Sequence, residues 1–478
     1  MNAQTASAFI LLALGATAAN AQQPGVSDRV AAALPGKYDQ ASCGIKPGHF
    51  KVSSGASYLK TSIETEVPDN KVRSLANGQR VLLEAIQQNG QDKNPAAWYY
   101  LGRVYLRGGD LHRADSALTL AQQLAPQCAE DIARYRRIAW AALFNAGSKF
   151  EQEQQSDSAL ALFRQAGLIY SGSPRVPYGI ATILNEKGQT DSAAHYFGQA
   201  AAAGANATDT IDVQIRNRSA FNRAALLLNA KKYDEATIAF EQYLKWVPKD
   251  MEAKRGLAAA YRATGKTEQA LALDKELVAA GGAPGAAGAP VSEDLMAAGV
   301  NFYNAKNYPD AAAAFEKVVA SEPHNRDALS NLSNTYLAMK NGPKLAETAA
   351  KLVAIEPLSE NALKLLGEGH KQSGKVDLAV TTAEQVLALP ADVKASNFEA
   401  AGNTATLTLS ATGRASQTPT GKAIPPAAVP IVVEFLNATG GVVATQEAQI
   451  PALKAGASQE VTATAQGSGI TAWRYKRK

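Results

Sequence analysis

The chain has 478 residues, 46% of them hydrophobic and 19% charged, a length that accommodates two or three domains. Its 48 Lys and Arg against 43 Asp and Glu leave a net charge of +5, too mild a surplus to argue for a nucleic-acid surface. No apolar run is long enough to span a bilayer.

The first element is the apolar run Ala8 to Ala19, carrying Phe9, Ile10, Leu11, Leu12 and Leu14 and closing on Ala19-Asn20-Ala21. It reads as a secretory signal, residues 1–21, cleaved after Ala21, although the usual basic residue ahead of the run is missing. No Cys follows the cleavage site, which argues against a lipoprotein. Export places the mature chain in the periplasm, at the outer membrane or outside the cell, all oxidising surroundings. Residues 22–68 lack periodicity and are rich in Gly, Ser and Pro, so an irregular extension is expected there. It holds Cys43; the other cysteine is Cys128. The even count and the compartment favour a disulfide that pins this extension to the downstream chain, the alternative being two unrelated thiols.

From Asp69 to about Asn89, Val72, Leu75, Ala76, Leu82, Leu83 and Ile86 recur at helical spacing and predict a cap helix. A 34-residue period then sets in. One pass reads Trp98, Leu101, Gly102, Tyr105, Ala114, Leu118, Ala121 and Pro126; the next, Leu143, Ala146, Gly147, Phe150, Ala159, Phe163 and Ala166; the third, Ile180, Ala181, Leu184, Ala193, Phe197 and Ala200. Further copies carry Ala224 to Pro248, Leu257 to Ala270 and Gly299 to Pro323. Two weaker ones come after them, with Leu345 at a small-residue position and His370 at an aromatic one. Extra residues at 129–139 and 208–216 continue the helical pattern and lengthen a first helix. Each helical pair leaves an apolar face that the next pair covers, so the period predicts a stacked solenoid whose default function is binding.

These residues resemble the tetratricopeptide repeat family. The fold expected is mainly α: an α-α superhelix of about eight repeats, as a cap helix plus five repeats over 69–278 and three more over 292–393. Between them, residues 279–291 form a Gly/Ala/Pro linker, either a hinge or a loop thrown out of a continuous stack. Good register on both sides favours the loop.

Beyond about residue 394 the period turns to alternation. Strands are predicted at 404–410, 430–436, 442–450, 460–465 and 470–475, giving a small all-β, immunoglobulin-like sandwich over 394–478. Phe435, Gly441, Val442, Val443, Leu453 and Gly456 resemble the FxLYD-type envelope domains, without the usual final Tyr-Asp. This segment carries +4 of the net charge, with Arg474, Lys476, Arg477 and Lys478 at its end, a surface suited to weak contact with acidic envelope polymer.

Catalytic signatures are missing. The five histidines are isolated, and neither a phosphate loop nor a nucleophile elbow occurs, so no enzyme, metal or cofactor is expected. The repeat family implies a binding surface instead, on the inner face of each first helix. Carried over position by position, that face holds Tyr99, Tyr100, Arg103 and Arg107 in the first repeat and Phe144 and Asn145 in the second. The third offers Arg175, Tyr178 and Asn185, and the fourth Arg218, Phe221 and Asn222. Asn side chains can donate to and accept from a peptide backbone, Arg forks onto carboxylates, and rigid aromatics supply area; Tyr100 is equally suited to internal contact. Arg255, Met296, Ser330 and Lys364 break the strip in later repeats, which places the groove in the first half. The sequence therefore predicts an exported, non-enzymatic scaffold that binds an extended peptide or protein. The alternative is a structural envelope component anchored through the basic β-segment.

Overall fold

The computed structural model describes residues 25–280 and 291–478. The expected signal, 1–21, and most of the expected linker lie outside them. The chain divides into two compact units, one ending at Leu226 and the other beginning at Leu227.

In the first unit, α1 (Val26–Ala33), α2 (Phe50–Glu64) and α3 (Pro68–Gln88) precede the repeats. Residues 22–68, expected to be irregular, thus contain two helices. In α2 the pattern was hidden by Ser53, Ser54, Ser57, Thr61 and Ser62, which lower helix propensity; four of these hydroxyls donate back to carbonyls one turn earlier. Beneath them Val52, Ala56, Leu59 and Ile63 form a buried stripe against α3. The expected cap helix is α3, and it has a partner.

Eight repeats come next, each of two helices joined by a short turn: α4 (Pro95–Gly108) with α5 (Leu111–Leu124), α6 (Ala129–Gln152) with α7 (Ser156–Ile169), and α8 (Arg175–Glu186) with α9 (Thr190–Ala203). After them stand α10 (Thr210–Asn229), α11 (Tyr233–Trp246), α12 (Met251–Ala263), α13 (Thr267–Ala279), α14 (Ser292–Asn304) and α15 (Tyr308–Ser321). The last four are α16 (Arg326–Ala338), α17 (Gly342–Ile355), α18 (Glu360–Gln372) and α19 (Val376–Ala388). The extra residues lengthen first helices: α6 has 24 residues and α10 has 20. Either side of residues 281–290, α13 meets α14 and α15 directly, with Lys275 bonded to Asp310 and Asn301 to Asp274, so the stack runs on across that segment.

Three of the helix pairs close on the same kind of contact. A Cβ at Gly147 would stand 2.7 Å from the Phe163 ring, and one at Gly179, in the next repeat, 2.8 Å from it. The ring is thus seated between two glycines. Gly299 meets Phe315 and Gly102 meets Leu118 in the same way. The turn inside each repeat is equally uniform. Its residue two places before the second helix is left-handed in all eight, as Gly109, Gly188, Gly265 and Gly374 but also as Gln154, Lys231, Lys306 and Lys340.

In the second unit, six strands follow α19: β1 (Ala391–Ala401), β2 (Thr404–Gly413), β3 (Val429–Asn437), β4 (Val442–Ile450), β5 (Ser458–Gln466) and β6 (Ile470–Arg477). They form two antiparallel three-stranded sheets, ordered β1-β2-β5 and β4-β3-β6. The strand missed by sequence reading is β1, poor in β-branched residues and broken in alternation by a bulge between Ala395 and Asn397. The sheets share one apolar core with the helices from α13 onward. Tyr475, fully buried, donates its hydroxyl to the Val393 carbonyl and accepts from the Leu358 amide. Glu356, with no exposed surface, accepts from the Ala395 amide and from Arg326.

Two stability outcomes are expected in urea unfolding. Gly147→Ala drives a methyl into the Phe163 ring and destabilises by about 1–3 kcal/mol. Lys306→Gly relieves a left-handed non-glycine residue and stabilises by about 1 kcal/mol.

Candidate functional site

The inner face of the first repeat is covered by the chain itself. Residues 25–48 run as a strap whose α1 rests on α4 and α6, with Val30 and Leu34 in the core. Cys43 and Cys128 are joined by a disulfide, their Cα atoms 4.9 Å apart. Farther along, Asn94 of the loop before α4 donates to the Pro47 carbonyl at 2.7 Å.

The centre of the strap is Asp39. Arg103, 4% exposed, donates to its backbone carbonyl at 2.8 Å and its carboxylate at 2.9 Å. Arg134 and the Tyr135 hydroxyl donate to the same carboxylate, and Arg107 to the Pro35 carbonyl. The Arg103 guanidinium lies over Tyr135 at 4.4 Å, with Tyr38 and Tyr99 beside it, which suits a weakly hydrated cation. Tyr99 is fully buried and donates to Asp131 at 2.5 Å. Burial raises the Asp39 pKa, but the bonds from Tyr135 and Arg134 and the charge of Arg103 outweigh it and hold the carboxyl below its usual value. Burial, only partly offset by Arg103, pushes Tyr135 up to about 12.

Tyr99 and Arg103, expected to line an open groove, are therefore enclosed, and Tyr100 is buried as well. Sequence reading missed Asp39, Asp131, Arg134 and Tyr135: Asp39 reaches Arg103 across 64 residues, and Tyr135 reaches Asp39 across 96. No local pattern announces such a pairing.

Beyond the strap the face opens. Phe144 is half-buried, stacked on Trp140 at 5.1 Å and 5.7 Å from Phe163; Asn145 beside it is exposed. Trp140 was also missed. It sits one turn before Phe144 on the lengthened α6, edge-on to Tyr170, and its indole N–H is buried without a partner among the described residues. Tyr178 is half-buried, its ring 6.0 Å from Phe197, and its hydroxyl accepts from exposed Arg218 at 3.4 Å. Asn185 is exposed, and Phe221 and Asn222 are half-buried. Arg175 is already held by Asp212 at 2.7 Å and Asp209 at 3.2 Å, so it braces neighbouring repeats.

Among the described residues no group of three or more His, Cys, Asp or Glu is placed to hold a metal ion, and no helix is long and apolar enough to cross a membrane. A family model for the tetratricopeptide repeat matches residues 72–129, 221–287 and 296–362. Over these segments the chain is similar to the tetratricopeptide repeat, and its helices are arranged as that repeat's superhelix. Several solved structures bear a low likeness to this chain. A MamA protein is 20% identical over 36% of this chain and 90% of its own, with a TM-score of 0.28. MamA from Desulfovibrio magneticus RS-1 is 17% identical over 38% and 93%, at 0.30. PilF from Pseudomonas aeruginosa is 20% identical over 50% and 96%, at 0.28. Likeness at this level transfers no role. Comparison with curated proteins gives no match.

Replacing Asp39 by Ala leaves the buried Arg103 guanidinium with only a backbone acceptor on the strap, and a loss of about 2 kcal/mol is expected in urea unfolding. Because the Asp39 pKa is depressed on folding, its contribution is present above the ordinary carboxyl value of about 4 and is lost as pH falls through the folded value. Hydrogen-exchange protection factors of residues 25–48, referred to the intrinsic rate at each pH, should fall at acid pH in the wild type and depend less on pH in Asp39→Ala.

Proposed function

We propose that this chain is an exported, non-enzymatic protein-interaction scaffold that holds an extended peptide or protein segment on the open inner face of its second to fourth repeats. The observation that carries the reading is the contrast along that face. The first repeat is occupied by the strap, whereas Phe144, Asn145, Tyr178, Asn185, Arg218, Phe221 and Asn222 all keep solvent access. They combine aromatic area with amides that pair with a peptide backbone and one exposed guanidinium suited to a carboxylate. The strap also supplies an internal precedent for the chemistry: an extended segment bearing one carboxylate, recognised by Arg and Tyr on first helices.

The Cys43–Cys128 disulfide supports residence in an oxidising compartment, for which the periplasm is the reading that agrees with the expected signal. The alternative, an envelope component anchored through the basic C-terminal segment, has less support. Arg474 and Lys476 both bond Glu434, and Lys478 bonds Glu447, which offsets much of the charge that would hold an acidic polymer.

The test is a crosslinking capture from envelope extract with the full chain and a triple variant, Asn145→Ala, Tyr178→Ala and Arg218→Ala. The expected outcome is at least one partner whose recovery falls about tenfold or more in the variant, with melting temperature retained. An unchanged partner list would remove the inner face as the binding site.

A further inference from the structure

The last repeat ends the stack with an apolar face that no described element covers. Elsewhere α7 packs on α8, α11 on α12, α13 on α14 and α15 on α16, so a second helix is met by the first helix of the repeat after it. After α19 the chain turns instead into β1. Among the described elements α18 is the only close neighbour of α19, whose one fully buried residue is Thr382. Val376, Val380, Ala383 and Leu387 recur at helical spacing and are all exposed, Val376 by 64% and Val380 by 52%. End repeats of a solenoid ordinarily turn a polar face outward.

The face is also hollow. Phe163 and Phe315 stand sixteen residues after the first-helix glycines they are seated against, Gly147 and Gly299. Sixteen residues after Gly367 stands Ala383, and the only side chain that a Cβ at Gly367 would touch is Thr382. A groove of about 420 Å³ is left between α18 and α19, lined by Gly367, Ala379 and Ala383. Its small residues make room for the side chains of another helix.

Charge selects the occupant. On α19, Asp377 and Glu384 are exposed and have no ion pair among the described residues, and the helix carries no cation. They stand seven residues, or about 10 Å, apart on the side of the apolar stripe away from α18. On α18, Lys364 and Lys371 are also exposed and seven residues apart, and both line the groove. With Lys375 and Arg414 beside them they outnumber the two carboxylates of α18, Glu360 and Glu368. The apolar stripe is thus flanked by two charged rows of equal length and opposite sign.

We propose that this face pairs with the same face of a second copy of the chain about a two-fold axis, α19 against α19 and antiparallel, with the Asp377 and Glu384 row of each copy set against the Lys364 and Lys371 row of the other. A two-fold turn exchanges the two sides of the stripe, so each acidic row falls on a basic one. Val380 and Leu387, spaced as the charges are, then enter the hollow beside Gly367 and Ala383 of the other copy. A strongly acidic or strongly basic partner would match one row and be repelled by the other.

Sedimentation velocity of the full chain from about 1 to 100 µM tests this, alongside two double variants. One joins Lys364→Glu with Lys371→Glu, the other Asp377→Lys with Glu384→Lys. All four positions are exposed, so both variants should melt close to the wild type. The wild type should dimerise as its concentration rises. Each variant alone sets like charges opposite one another and should dimerise about tenfold or more weakly. An equimolar mixture of the two, in which both rows again face opposite charge, should recover a mixed dimer. A wild type that stays monomeric to about 100 µM overturns the proposal and leaves the face to a helix of a different protein. Variants that dimerise as the wild type does, or a mixture that stays monomeric, overturn it as well.

Discussion

The architecture depends on how closely two helices can approach, and in three of the repeats that is set by one contact: a large side chain on the second helix seated against glycine on the first. Phe163 shows it most fully, held between Gly147 of its own repeat and Gly179 of the next. One ring thus joins the two helices of a hairpin and also joins that hairpin to its neighbour. Interiors tolerate neither voids nor overlap, so the absence of a Cβ is as specific a requirement as the ring. Pairs built this way at Gly102 with Leu118 and Gly299 with Phe315 give hairpins of similar geometry, which is the condition for stacking them.

Because this contact is local, it was legible. Gly, Ala, Leu and Phe at fixed intervals disclose the repeats, their turns and the two lengthened first helices directly in the sequence. Some turns were less visible. Left-handed backbone is announced when glycine occupies it, as at Gly188, and concealed when Lys231, Lys306 or Lys340 does. Helix α2 hid behind hydroxyl side chains whose hydrogen bonds run to its own carbonyls, and β1 hid behind a bulge that shifts its alternation. In each case the local rule was overridden by a contact made elsewhere, α2 against α3 and β1 against β2.

The binding face was legible only as a set of positions. Inner-face residues follow from the repeat, but whether each is open, braced or covered depends on groups far away in sequence. Arg175 is engaged by Asp209 and Asp212, and Arg103 by Asp39, 64 residues earlier. The same guanidinium chemistry that would recognise a partner is satisfied internally, and nothing in the pattern around Arg103 distinguishes the two uses. The second unit shows the converse. Its sheets are bonded into the helical core through Tyr475 and Glu356, so strands that read as a separate module are part of one packed body.

The strap also bears on how the chain reaches its native state. Repeat contacts join residues a few tens of positions apart, so hairpins can assemble one after another with little loop-closure cost. The strap is different: Asp39 is made early, but Arg134 and Tyr135, which hold it, come 95 and 96 residues later, and Cys43 waits 85 residues for Cys128. The earliest described segment is therefore among the last to find its place in the first unit, and until it does Arg103 and Tyr99 stand uncovered beside their neighbours. Within the first unit, this return of the chain upon itself joins residues far more distant in sequence than the repeat contacts do.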